Sequence, residues 1–317
     1  MNSSFFLGLL AVATATIAWG LQFPIAADVF EKVDPFYITS VRYLIGSSLL
    51  FGILLCINGR SLLHVGAYGY RASVIGIIGM GLSPVLVFWG ISLSTPEQAA
   101  IIVATQPTIA ILIHWLVFQK RPDSFVLFCV FMAFGGVILV ITKGQLNFVE
   151  QKQTFLGNAV TFLGASMWVI YSIETSKWKD WDSLKLTLLT MLPGTLFTVS
   201  LTVIIGLLGY AKMPAVEELM DVGWELMYLS IVGVLLGMLA WNYGNRIVGA
   251  LNSTLFINLI PVAAFGMRAL QGQSYLKAEL FGAFLVILAL ILNNIYVRWI
   301  VAGHSPSFMR KFLEDRQ

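Results

Sequence analysis

The hydropathy of the chain follows one repeated pattern, in which long apolar stretches alternate with short polar connections. A helix needs about 20 apolar residues to cross the roughly 30 Å hydrocarbon core of a bilayer. Ten stretches are long enough, approximately 5–27, 35–57, 72–92, 98–118, 124–142, 155–174, 186–208, 223–245, 250–270 and 278–300. Because no connection is long enough to form a soluble domain, the pattern predicts an all-α polytopic membrane protein of ten transmembrane helices.

Composition supports this prediction. Apolar residues make up 58% of the 317 residues and charged residues 11%, whereas an average soluble domain carries about 25% charged residues. The net charge of +3 is explained by Lys and Arg in alternate connections, so we predict the lipid bilayer as a partner and no nucleic acid.

The distribution of Lys and Arg also predicts the orientation. With the N-terminus inside, the inner connections and tail hold twelve of these residues and the outer ends hold six. The positive-inside rule then predicts a multi-pass protein of the cell inner membrane with both termini in the cytoplasm. The first apolar stretch has no basic segment or cleavage site before it, so it is predicted to be a span rather than a signal peptide.

The two halves of the sequence align with each other at an offset near 150 residues. The aligned pairs are Trp19 with Trp168, Pro107 with Pro261, and Gly136 with Ala289. Five spans is an odd number, so the second half would lie inverted relative to the first. We therefore predict two inverted five-helix repeats, 1–146 and 147–317, an arrangement typical of secondary transporters that work by alternating access.

Several short motifs extend this picture over nearly the whole chain. They are Trp19-Gly20 in the first span, Pro35 with Arg42-Tyr43 in the second, Pro107 after an Ala-rich run, Asn252-Ser253-Thr254 before Pro261-Val262, and the segment 282–287 in the last span. Together with ten spans in about 300 residues, they resemble the EamA-type branch of the drug/metabolite transporter superfamily. The resemblance implies a small organic substrate, often exported, such as an amino acid, an amine or a drug-like compound.

The chain also departs from that family's pattern. Members commonly carry a Gly-Glu pair about thirteen residues after each of the two prolines. The corresponding positions here are Gln119-Lys120 and Gly272-Gln273, so both carboxylates are missing. No role of that acid can therefore be transferred to this chain.

Polar and aromatic residues deep within a span are costly unless they face protein or a water-filled cavity, which makes them candidate substrate-binding residues. Trp19 and Gln22 share a face of the first helix, and Trp168 and Tyr171 repeat this spacing on the sixth. We predict that they line opposite walls of a central cavity that suits apolar, aromatic or cationic solutes. Packing between helices is the alternative.

Three further polar residues are candidates within the spans. Gln106 and Asn258 lie beside the two aligned prolines, where an amide can either repair the interrupted helix or bind substrate. Arg42 lies about seven residues into the second span and can hold a carboxylate. Snorkelling to the outer surface, or pairing with Asp28 or Asp34, is the alternative role of Arg42.

The remaining candidates are less specific. His114 can shuttle a proton or be an ordinary core residue, and Trp89 can contribute to an outer gate or act as an anchor. Gly233 and Gly237 form a GxxxG motif, which predicts close helix packing. No Asp or Glu lies in the middle of a predicted span, so we predict facilitated movement or exchange, with proton coupling through His114 as the lesser alternative.

An intramembrane enzyme acting on a lipid is the competing hypothesis. It requires a catalytic constellation such as a His–Asp pair, and none of His64, His114 and His304 lies near an acid in the sequence. A channel would need a repeated polar filter. The sequence therefore predicts a non-enzymatic exporter of a small-molecule substrate without cofactor or metal, and it leaves the oligomeric state open, a monomer included.

Overall fold

The computed structural model describes residues 3–58, 69–119, 121–144, 152–175, 177–178, 181, 183–249, 253 and 256–299. Within these ranges every regular element is a helix. The helices are α1 Ser3–Val29, α2 Pro35–Asn58, α3 Gly69–Leu93, α4 Pro96–Ala104, α5 Gln106–Phe118, α6 Ser124–Thr142, α7 Lys152–Thr175, α8 Ser183–Leu207, α9 Val216–Asp221, α10 Gly223–Val248, α11 Leu259–Leu270 and α12 Lys277–Trp299.

Polar residues in the connections define where several helices begin. The Asp34 carboxylate accepts the backbone N–H of Phe36 at 2.9 Å, and the Thr95 hydroxyl accepts that of Gln98 at 3.3 Å. The Asp123 carboxylate does the same at the start of α6. These side chains satisfy N–H groups that have no partner within the helix, and a proline follows Asp34 and Thr95 at the first helical position, where its missing donor costs nothing.

Among the residues described, eight helices are long and apolar enough to cross a membrane, namely α1, α2, α3, α6, α7, α8, α10 and α12. The helices α4 and α5 meet at a bend of 47° and together form a ninth candidate. Pro107 causes this interruption because it has no N–H to donate to the preceding turn. Helix α11 has 12 residues, and 250–252 and 254–255 before it lie outside the described residues. Each of the ten predicted stretches thus contains helix. The stretch 250–270, which contains α11, stays a predicted span.

Close helix packing is clearest between α6 and α12. A Cβ added to Gly136 would lie 2.6 Å from the Gly282 carbonyl oxygen, and a Cβ on Gly282 would lie equally close to that of Gly136. Only glycine permits this approach of two backbones, which is how helices gain contact where lipid supplies no hydrophobic driving force.

The spans that surround the centre of the bundle are α1, α3, α7 and α10. Helix α1 packs against α10 and α11, and α7 packs against α3 and α4. Both α3 and α10 contain a wide π-helical turn, at Ile77–Leu82 and Tyr228–Leu236 respectively. The predicted boundary between repeats 1–146 and 147–317 lies outside the described residues.

Gly136→Ala is expected to destabilise the protein by about 1–3 kcal/mol, because the new methyl group must push two helix backbones apart. Gly135→Ala is the matched control, since nothing lies within 4 Å of its added Cβ, and it should be neutral or slightly stabilising. Thermal unfolding of the purified protein in detergent measures both variants. Equal unfolding temperatures for the two would contradict the close contact.

Candidate substrate cavity

A cavity of about 120 Å³ lies between α1, α2, α3, α7 and α10, and residues of α4, α5 and α11 also line it. It lies beside the second half of α1 and the middle of α10. Five of the nine predicted site residues line it, namely Trp19, Gln22, Arg42, Gln106 and Trp168. Pockets for drug-sized ligands usually measure about 300–1,000 Å³. The cavity is therefore contracted, and a larger solute requires its walls to move.

Three tryptophans form the aromatic part of this cavity. The ring centre of Trp19 lies 6.5 Å from that of Trp168 in an edge-to-face arrangement and 5.3 Å from that of Trp241. Trp19 and Trp168 come from helices α1 and α7, which the sequence alignment pairs. The cavity thus offers flat apolar surfaces from both predicted halves of the chain.

The Trp19 ring is held in place by helix α10. Its indole N–H donates to the Gly233 carbonyl oxygen at 2.9 Å, within the π-helical turn of α10. A Cβ added to Gly237 would lie 2.6 Å from the Trp19 Nε1, and a Cβ on Gly233 would lie 3.1 Å from the Gln22 Oε1. The GxxxG motif therefore accommodates two side chains of α1, in place of the close backbone approach that the sequence predicted.

Arg42 supplies the charge of the cavity. It lies about 10 Å along the axis from the start of α2, and only 3% of the residue is exposed. One terminal nitrogen of the guanidinium donates to the Gln22 Oε1 at 3.1 Å. The guanidinium carbon lies 3.6 Å from the centre of the Phe88 ring, a stacking contact that favours arginine over lysine.

The alternative roles predicted for Arg42 are wrong. The side chain points into the bundle and does not snorkel to the surface. Asp28 pairs instead with Arg268 at 2.8 Å, and Asp34 caps α2. Within the described part of the chain, Arg42 has no carboxylate partner and its Nε has no hydrogen-bond acceptor.

Two predicted residues lie next to the cavity without lining it. Tyr171 is buried behind Trp168, its hydroxyl 3.1 Å from that of Thr190, so it supports the tryptophan from α7. Asn258 is buried at the start of α11, and its amide has no partner among the described residues. Ile257, which precedes it in the chain, and Ile260 of α11 do reach the cavity.

The other two predicted residues lie elsewhere. His114 is half-buried in α5 and does not line the cavity. Trp89 packs against Phe36 at the start of α2, with ring centres 5.8 Å apart. The preceding residue, Phe88, faces the cavity instead. The π-helical turn in α3 changes the phase of the helix, so counting at 3.6 residues per turn does not identify which of the two adjacent aromatics points inward.

Sequence reasoning missed Phe88, Tyr43, Met238 and Trp241 as lining residues. Phe88 and Met238 carry no polar signal that would separate them from ordinary core residues. Trp241 had a usable signal, because it follows the GxxxG motif at Gly237 by four residues and so shares its helix face.

A second cavity of about 380 Å³, named the outer cavity, lies at the end of the bundle that the Lys and Arg distribution predicts to be outside. Its walls include Glu31, Glu97, Lys143, Arg268, Tyr275 and Glu279. The Tyr275 hydroxyl donates to the buried Glu97 carboxylate at 3.2 Å. Burial, together with this carboxylate, raises the pKa of Tyr275. Charged groups therefore collect in this outer cavity. The first cavity, named the tryptophan cavity for Trp19, Trp168 and Trp241, has Arg42 as its one charged residue among those described.

A bundle of apolar helices around an internal cavity defines a polytopic membrane protein that can hold a solute within the bilayer. The sequence profile of the EamA-like transporter family matches residues 6–142 and, separately, 155–295. The chain therefore belongs to this family of the drug/metabolite transporter superfamily, and it is a membrane transporter. The resemblance to this family, which the sequence motifs indicated, is confirmed.

The chain is similar to two proteins of Bacillus subtilis (strain 168). It is 30% identical over 297 residues to the uncharacterized transporter YrdR, with 92% of each chain covered. It is 26% identical over 290 residues to the uncharacterized transporter YyaM, covering 89% of this chain and 92% of the relative. A crystal structure at 18% identity has a TM-score of 0.66 and covers 92% of this chain and 97% of its own, a likeness of fold.

Gly237→Ala is expected to lower transport, because the added methyl would lie 2.6 Å from the Trp19 Nε1 and displace the ring. Gly52→Ala in α2 is the matched control, since its Cβ meets nothing within 4 Å. Initial rates in proteoliposomes, normalised to inserted protein, measure the effect. Equal rates for both variants would show that the Trp19 position is unimportant.

Arg42→Met is expected to stabilise the protein in detergent by about 1–4 kcal/mol, because it removes a buried charge without a carboxylate partner. Arg268→Met should act in the opposite direction, since it breaks the pair with Asp28. Thermal unfolding measures both changes. A clear loss of stability in Arg42→Met would mean that its contacts with Gln22 and Phe88 outweigh the cost of burial.

Proposed function

We propose that the protein is a secondary transporter that exports a small organic metabolite across the inner membrane by alternating access. The observation that carries this proposal is the tryptophan cavity. Trp19 and Trp168, at positions that the sequence alignment pairs, both line it and meet edge to face with their ring centres 6.5 Å apart. A site between two related halves can be exposed to either side in turn when the halves exchange conformations.

Three observations support two related halves. The family profile matches the chain twice. Wide π-helical turns occur in both α3 and α10. The contacts of α1 with α10 and α11 correspond to those of α7 with α3 and α4. With five spans in each half, ten in all, the second half is inverted in the membrane.

The proposed cycle needs a contact that closes the outer side. The Arg268–Asp28 ion pair, at 2.8 Å, joins α11 to α1 at the predicted outer end, and the Gln271 amide donates to the same carboxylate at 3.0 Å. The orientation itself, with both termini in the cytoplasm, is supported by the excess of Lys and Arg in the predicted inner connections. Export follows the direction common in the family.

The lining of the tryptophan cavity supports facilitated movement or exchange. Within the part of the chain that the structure describes, no Asp or Glu lines this cavity, and His114 does not line it either. The acids Glu31, Glu97 and Glu279 line the outer cavity instead. Membership of a transporter family favours this function over the competing hypothesis of a lipid-modifying enzyme.

Trp19→Ala and Trp168→Ala are each expected to lower the transport rate about tenfold, because each removes one aromatic wall of the cavity. Trp224→Ala is the control, since Trp224 is 80% exposed. Flux into proteoliposomes, at matched protein incorporation, measures the effect. Normal transport by both cavity variants would refute the role of the tryptophans.

The substrate and direction can be approached in a strain that lacks the transporter. Growth is compared with and without the gene on a panel of amino acids, amines and toxic analogues. An exporter confers resistance and an importer sensitivity to its substrate. No change for any solute, together with absence of flux in proteoliposomes, would argue against transport.

A further inference from the structure

The geometry of Arg42 points to the chemical class of the substrate. We infer that the transported molecule is an organic anion with an aromatic or apolar body, and that its anionic group binds the Arg42 guanidinium in the tryptophan cavity. This inference rests on the proposed function and makes it more specific. Its basis is the charge, the free donors and the walls of one cavity.

The charge of the cavity is positive. An arginine side chain stays protonated in proteins. Among the described residues, Arg42 is the one charged residue that lines this cavity. Its hydrogen-bond partner, the Gln22 amide oxygen, is neutral. A buried cation far from a carboxylate is costly, so chains retain one where an arriving ligand supplies the opposite charge.

The geometry of the guanidinium leaves donors for that ligand. A guanidinium carries five N–H groups in one plane. Phe88 stacks on the face of this plane, 3.6 Å from the guanidinium carbon, and therefore takes none of the donors in the plane. The Nε is buried and has no acceptor, so a carboxylate that enters as the cavity walls move apart can bind the Arg42 edge through parallel hydrogen bonds.

The remaining walls define the body of the substrate. The ring centre of Trp19 lies 6.5 Å from that of Trp168 and 5.3 Å from that of Trp241, and most of the other lining residues are aliphatic or aromatic. Flat apolar groups bind such surfaces well. Cationic solutes, which the tryptophans alone would admit, are disfavoured because the charge of Arg42 repels them strongly at low dielectric.

Three indole probes of similar shape test the inference. Indole-3-acetate is an anion, indole-3-acetamide is neutral and tryptamine is a cation. Equilibrium binding of each radiolabelled probe to the purified full chain is measured in detergent, and flux is measured in proteoliposomes. The readout is the ratio of affinities within one protein sample, which does not depend on the fraction of active protein.

We expect the wild-type chain to bind indole-3-acetate about 10-fold to 100-fold more tightly than either other probe. Only the carboxylate of this probe can form a hydrogen-bonded charge pair with Arg42, and such a pair contributes affinity of that size. Arg42→Gln should reduce this ratio to near one, and Arg42→Lys should restore part of it. Arg246→Gln, an equal change of charge at an exposed residue of α10, should keep the wild-type ratio.

The inference is overturned if the wild type prefers the amide or the amine, if it binds none of the three probes, or if Arg42→Gln keeps the preference for the anion. Transport of indole-3-acetamide or tryptamine in preference to the anion would leave the proposed transport function intact. Binding of indole-3-acetate without flux of any probe would support the anion site and count against transport.

Discussion

The hydrocarbon core of a bilayer offers no hydrogen-bond partners, and this constraint governs the whole structure. Backbone groups are satisfied within helices, and hydroxyl groups inside the spans bond to carbonyls of their own helix, as Thr16 does to Val12 and Thr198 to Gly194, both at 2.9 Å. Polar groups that exceed this internal supply must meet across helices. The hydrogen bond from Trp19 to the Gly233 carbonyl is one such contact, and it places an aromatic ring beside the central cavity.

The same constraint makes the buried charge of Arg42 costly. A charged side chain near the end of a span normally reaches for water, yet Arg42 is turned inward, stacked on Phe88 and bonded to the neutral Gln22. The arrangement holds a cation in a defined position without neutralising it. Under the proposed function, stability and substrate binding make opposite demands at this position, which is a common feature of functional sites.

The two cavities differ in the polarity of the residues that line them. Charges of both signs collect in the outer cavity, where Glu97 accepts a hydrogen bond from Tyr275 and Lys143 lies 3.6 Å from Glu279. The tryptophan cavity, which lies deeper in the bundle and is called the inner cavity here, has an aromatic lining with one positively charged residue, Arg42, among those described. Under the proposed cycle, the outer cavity is the part of the route that faces water, and the inner cavity is the part that selects the solute.

The sequence by itself determined the helical class, the approximate position of each helix and the family, because apolar length, Pro and the Lys/Arg distribution act locally and leave direct signals. It also identified candidate site residues, because polar and aromatic side chains deep within a span are costly unless they face protein or a cavity. Those that line the cavity are Trp19, Gln22, Arg42, Gln106 and Trp168. Only the tertiary structure decided which of these meet. The inward direction of the Arg42 side chain depends on its contacts with Gln22 of α1 and Phe88 of α3. The choice of Phe88 over Trp89 depends on the π-helical turn in α3. Hydropathy along one chain contains no information on either, because both are set by how the helices pack against one another.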